Sequence, residues 1–434
     1  METIKRTHFK AEFKAPLPKV SVITMYRVLL IWPTILLIAG LMSTPFYEIL
    51  EGMHKIRLAN DILLTDYFEI GGVGATFINA AILAYANIFL IFRLKMKPNG
   101  IIVASIFLIS GFAFMGKNVM NIWPFYLGGL AYAKYHKIEY KSVVVINMLS
   151  TALSPISSVL VAELAEHHFL ISFILTGLIG GFIGFIMPPI SASIMTAHSG
   201  YNLYNMGLSA GLVGIVIYSI IDALGYEGST NNIIYQGETI ELMKLLLIYC
   251  IILIVIGYRL NDKSFKGYDE ILKHSGRIVT DYIQLTGFGL TIVNMGLSGI
   301  LCIIYVLLMK GDFNGPIMCA ILTVMGFSAF GKHFKNILPI IIGVTLTSLI
   351  ITREVDLTIL IISALFGTSL APIAGEFGFS KGILAGMLHF TLVLNVGSFH
   401  GGLMLYNNGL AAGIIAMLFI PMMDAFRRGD NKRK

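Results

Sequence analysis

Charge is what this chain has least of. Lys, Arg, Asp and Glu make up 13% of its 434 residues against 56% in the hydrophobic class, and mean hydropathy is +0.81. A soluble domain could not hide that much apolar surface, so soluble classes are excluded and an all-α polytopic membrane protein is expected. Cysteine is nearly as scarce. Cys250, Cys302 and Cys319 all lie in or beside apolar runs, without CxxC or Cys/His spacing, which excludes a disulfide framework and a zinc site. No HExxH, no GxSxG and no pair of Asp at a catalytic spacing occurs, so neither an enzyme nor a cofactor is called for.

The charge that is present has a pattern. The net +7 comes from Lys5, Arg6, Lys10, Lys14 and Lys19 in the N-terminal tail, from the terminal RRGDNKRK, and from short links at 93–97, 134–141 and 259–277. The stretch Glu227 to Met243 has no Lys or Arg. This is the bias of cytoplasmic loops, not a groove for nucleic acid, and it predicts a multi-pass cell-membrane protein with both termini cytoplasmic. The first apolar run, Thr24 to Ser43, is too long for a signal sequence and reads as a retained span.

The rest of the chain is organised around one string that occurs twice. GFAFMGKNVMNIWPFYLGG from Gly111 and GFSAFGKHFKNILPIIIG from Gly326 share GFxxxGKxxxNIxPxxxG, with Gly116, Lys117, Asn121 and Pro124 recurring 215 residues on as Gly331, Lys332, Asn336 and Pro339. The same shift relates TDYFEIGGVGATFIN to TDYIQLTGFGLTIVN, pairing Thr76 with Thr291 and Asn79 with Asn294. TALSPI from Thr151 returns as TSLAPI from Thr368. HSGYNLYNMGLSAG returns as HGGLMLYNNGLAAG, now shifted by 202, which pairs His198 with His400, Asn205 with Asn407 and Asp222 with Asp424. So many matched polar and glycine positions signal an internal repeat.

Charge bias then orients the copies oppositely. The chain divides into 1–60 (tail, first span, outer loop), 61–226 (half one), 227–275 (outer loop, connecting span, cytoplasmic linker), 276–427 (half two) and 428–434 (basic tail). The expected architecture is two inverted-topology repeats of about 10 full spans plus two hairpins. Each lysine motif lies in a segment too long for one ~30 Å crossing and is broken by glycine and proline, as an interrupted or re-entrant hairpin would be.

A lysine deep in a membrane segment costs about 2.5 kcal/mol or more. The two hairpin tips are expected to approach the midplane from opposite faces, so that Lys117 and Lys332, with Asn121 and Asn336 one turn further on, are candidates to flank one central site for a small polar or anionic solute. The alternative pairs each lysine with Asp66, Asp281, Asp222 or Asp424. His198, His400, Asn205 and Asn407 are candidates for gating, proton relay or solute contact, or else cap helices. Thr76, Asn79, Thr291 and Asn294 line a path or hold helices together. Na+ or H+ coupling and a homo-oligomer fit this class.

Two lookalikes are set aside. GxxxxGK at Gly111 and Gly326 is followed by Asn118 and His333 where a phosphate loop needs Ser or Thr. VGAT at Val73 to Thr76 is similar to the SGAT string that carries covalent flavin in sodium-pumping quinone reductases, which implies a redox subunit with flavin on Thr76; the serine is missing and half two has GLT. Over nearly its whole length the chain resembles an uncharacterised family of bacterial multi-spanning membrane proteins. The LYNxGLxAG strings also resemble the glycine-asparagine turns of urea transporters, which implies a passive channel for a neutral solute; the LPxxTxPF signature of that family is absent.

Overall fold

The computed structural model describes residues 20–225, 232–237 and 239–431, and the side chains of all of these except 160–169 and 427–431. The five N-terminal lysines and arginines, residues 227–231 of the outer linker and the side chains of RRGDNKRK lie outside the described residues. Among the described residues there is no strand, and nine helices are long and apolar enough to cross a membrane. The protein is thus an all-helical polytopic membrane protein. It has nine such helices where the sequence suggests about ten spans; Val144–Val159 is one of four apolar helices that fall short.

The N-terminal part runs through α1 (Val22–Ser43), α2 (Phe46–Leu58), α3 (Tyr67–Arg93), α4 (Gly100–Phe112), α5 (Val119–Tyr135), α6 (Val144–Ser150), α7 (Ser154–Ala197) and α8 (Asn205–Ala223). A Cβ on Gly180 would lie 3.3 Å from Ser157 Oγ, so α7 doubles back on itself between them. The C-terminal part follows with α9 (Ile240–Leu260), α10 (Tyr268–Ile271), α11 (Tyr282–Thr286), α12 (Phe288–Leu308), α13 (Gly315–Phe327) and α14 (Phe334–Ser348). It ends with α15 (Leu357–Gly367), α16 (Ala371–Phe377), α17 (Phe379–Val396) and α18 (Asn407–Asn431).

At the centre α4 and α13 lie side by side and antiparallel. Every residue of α13 is buried, and so is every residue of α4 except Ile101. A helix apolar on all sides belongs in such a core. Asn99 and Asn314 cap these helices by accepting from the N–H groups of Ile102 and Ile317. Their ends are tied crosswise. Asp66 caps α3 and also accepts from Gly315 N (2.9 Å), while Asp281 caps α11 and accepts from Gly100 N (3.1 Å). A carboxylate at two helix N-termini is well placed against both dipoles.

Around this pair, α1 packs on α3 and α9 packs on α12, with Gly40 facing Gly74 and Gly257 facing Gly289. The helix expected to connect the halves, α9, thus packs on α12 as closely as α1 packs on α3. Helices α8 and α18 cross where a Cβ on Gly207 would lie 2.6 Å from Gly409 Cα, so only glycine permits the approach.

Candidate functional site

Both lysine strings form the same structure. After α4 the chain turns through 113–118 and restarts as α5; after α13 it turns through 328–333 and restarts as α14. Gly116 (φ 83°) and Gly331 (φ 140°) take backbone angles that side chains resist. A broken helix leaves polar backbone groups unpaired, and asparagines supply the partners. Asn79 Nδ2 donates to the carbonyls of Ala113 and Lys117, both at 2.8 Å; Asn294 Nδ2 donates to those of Ser328 (2.7 Å) and Lys332 (2.8 Å). Asn121 and Asn336 each donate to the tip glycine carbonyl (3.0 and 2.9 Å) and accept from the N–H of residue 118 or 333.

The lysines themselves are fully buried. Lys117 Nζ donates to Thr151 Oγ1 (2.8 Å) and to the Tyr406 hydroxyl. Lys332 Nζ donates to Thr368 Oγ1 (2.7 Å) and to the Tyr204 hydroxyl (2.5 Å). Each ammonium also stands over two rings: Tyr406 (4.6 Å) and Phe112 (5.3 Å) for Lys117, Tyr204 (4.4 Å) and Phe327 (5.5 Å) for Lys332. In both cases the lysine comes from one half and the tyrosine from the other. Among the described residues neither lysine has a carboxylate within 4.0 Å. The expected alternative of a carboxylate partner is not what the structure holds: Asp66 and Asp281 cap helices, and Asp222 and Asp424 are exposed.

Nor do the two tips meet. Tyr67 N donates to Phe114 O beside Gly315, and Tyr282 N donates to Ala329 O beside Gly100. The tips therefore sit at opposite ends of the α4–α13 pair, about 20 Å apart by helix rise. What converges is their tyrosine partners. Tyr204 and Tyr406 line one cavity of about 300 Å3 between the halves, walled by Phe112, Phe327, Phe330 and Phe366. A second cavity of about 220 Å3 lies behind it, and the two share Phe112, Phe366, Leu405 and Asn408 as a common wall. Phe112 and Phe366 stack there at 5.7 Å and 22°.

The cavities are built from matching positions. Ile278, Phe327, Phe330 and Leu203 in the first correspond, by the shifts of 215 and 202, to Leu63, Phe112, Met115 and Leu405 in the second. Their chemistry differs. The first is almost wholly apolar, whereas Arg353, Glu354 and Asp356 line the second.

The other candidates fall as follows. Asn205 lines the first cavity and Asn407 the second, each accepting through its amide oxygen from a histidine: His198 Nε2 at 2.8 Å, His400 Nε2 at 3.1 Å. Their amides donate to Ser191 and to Val393 O, so the His–Asn pairs also fasten turns. Thr76 and Thr291 are buried and donate to Gly72 O and Gly287 O of their own chain segment. Asn121 and Asn336 support the tips and line neither cavity.

Sequence reasoning passed over Tyr204, Tyr406, Thr151 and Thr368 as site residues, although all four lie in the repeated strings. It also missed Asp61. This buried carboxylate, in the connection between α2 and α3, accepts from Tyr67 OH (2.6 Å), Ser158 Oγ (2.5 Å) and Asn121 Nδ2 (2.9 Å). Burial pushes its carboxyl up to about 7, against those hydrogen bonds.

No curated protein and no solved structure matches this chain, so the likeness to urea transporters gains no support. One family model does match, over residues 46–223 and 260–425, and its description is a protein of unknown function. With well over half of its length matched, the chain belongs to the DUF1576 family.

Proposed function

We propose that the protein is a membrane transporter or channel whose solute path runs between two inverted halves, each containing a re-entrant hairpin. The observation that carries the reading is the pair of back-to-back cavities built from matching positions and separated by Phe112, Phe366 and Leu405. Two vestibules related in this way are what opposed copies of one fold would form on either side of a bilayer. Crosswise bonds support the same reading: Asp66 reaches Gly315 and Asp281 reaches Gly100, while Lys117 reaches Tyr406 and Lys332 reaches Tyr204. In this reading α1 and α9 belong to the halves as their first spans, and both termini are cytoplasmic.

The solute is small and polar or anionic. Two buried lysines, neither with a carboxylate within 4.0 Å among the described residues, stand behind the tyrosines of the first cavity and favour negative charge there. The test is flux in proteoliposomes across a panel of small anions, cations and neutral solutes. Leu149 lines the first cavity, and Leu149→Trp would fill it. Solute-specific flux that this substitution abolishes is the expected result. Flux that survives a filled cavity would remove the path from between the halves.

A further inference from the structure

We infer that the solute held in the first cavity is an organic anion with an apolar body, the size of one aromatic ring or a short alkyl chain. The inference rests on the transport reading and narrows it. A cavity of about 300 Å3 has room for roughly ten waters. Its wall, however, offers water very little. Four phenylalanines, Leu149, Leu203 and Met206 line it, and its polar residues are few: Ser191, Asn205, Asn408 and the two tyrosines. A fully hydrated inorganic ion or a compact polar solute would be stripped of water against such a wall without replacement bonds. An apolar body would instead be at home there.

The sign of the charged end follows from what lies behind the rings. The two tyrosines that line the cavity each accept, through the hydroxyl, from a buried lysine, and no carboxylate is among the lining residues. A hydroxyl whose oxygen is already occupied by an ammonium is polarised to donate its own proton, which suits a carboxylate or sulfonate oxygen. A cationic head would find no carboxylate among the lining residues and a lysine behind each of the two tyrosines, and is disfavoured. The mouth with Arg353, Glu354 and Asp356 belongs to the other cavity and does not alter this balance.

Three probes that cross lipid poorly decide the matter in proteoliposomes: benzenesulfonate, methanesulfonate and benzyltrimethylammonium. Benzenesulfonate is expected to move roughly tenfold or more faster than either of the others. Leu149→Trp should abolish that flux, and Tyr204→Phe should lower it while the thermal midpoint and the elution profile confirm folded protein. Methanesulfonate moving as fast as benzenesulfonate would refute the apolar body, and the cation moving fastest would refute the charge. If inorganic anions or urea cross but benzenesulfonate does not, transport stands and this inference falls. If nothing crosses, both fall.

Discussion

The asparagine that staples each helix break gives the sharpest test of the construction. Asn79→Ala removes two donated bonds, to Ala113 O and Lys117 O, both at 2.8 Å and buried. Side-chain bonds between membrane helices are worth about 0.6 kcal/mol each, and up to about 1.7, so the loss is about 1–3 kcal/mol. Asn79 Oδ1 has no partner among the described residues, and its removal offsets part of that cost. Asn294→Ala removes the matching pair of bonds, but Asn294 Oδ1 also accepts from Tyr268 OH at 2.9 Å. That third bond adds about 0.5–1.5 kcal/mol. Asn294→Ala should therefore destabilise more than Asn79→Ala, by about 1 kcal/mol. Thr76→Ala, which deletes a bond within its own helix, serves as control and should cost the least. Reversible unfolding in mixed micelles measures all three. The reasoning is refuted if Asn79→Ala equals or exceeds Asn294→Ala, or if neither differs from Thr76→Ala.

Other substitutions probe separate links. Tyr406→Phe and Tyr204→Phe keep the rings over the lysines but leave each ammonium only a threonine, and should each cost about 1–3 kcal/mol in the same unfolding assay. Gly207→Leu would drive a Cβ to 2.6 Å from Gly409 Cα, so overpacking of at least about 1–3 kcal/mol should lower the thermal midpoint. Asp61 sets a pH dependence. Its carboxyl is raised from 3.8 to about 7 by burial, so the folded state holds the proton more tightly than the unfolded one. The stability it contributes is complete below about pH 4 and is lost as pH climbs to about 7, up to about 4 kcal/mol. Midpoints between pH 5 and pH 8 should fall for the wild type and fall less steeply for Asp61→Asn; parallel slopes would clear Asp61 of the effect.

Much of this was legible because polar residues in apolar surroundings leave few readings open. Lys117, Lys332, Asn79 and Asn294 stood out in the chain, and each makes buried bonds at a helix break. Tyr204 and Tyr406 did not stand out, since a tyrosine among leucines reads as core until its hydroxyl is seen to meet a lysine 128 or 289 residues away. Partner choice across the halves depends on how α8 and α18 cross, which no local pattern encodes. Asp61 escaped for a different reason. Its counterpart by the 215 shift is Gly276, so comparison of the copies passes it by; in the second copy Asn336 donates to Ser275 O instead.

The short central helices explain why the tips lie where they do. A helix of 13 residues spans about 20 Å, so α4 and α13 together fall short of a ~30 Å core and leave room for a vestibule at either end. What remains for a solute to pass is the wall between the cavities. On the proposed reading that wall is lopsided. Phe112 stacks on Phe366 between the two cavities, whereas their counterparts Phe327 and Leu149 line the first cavity alone. The first cavity thereby reaches past the middle and takes in both tyrosines, while the second stops at the Phe112–Phe366 stack. Two halves with matched parts can hold one barrier shut and the other open only by adopting unequal packings of those parts. The substitution of a leucine for a phenylalanine at one of the two barrier positions gives that inequality a cause in the sequence.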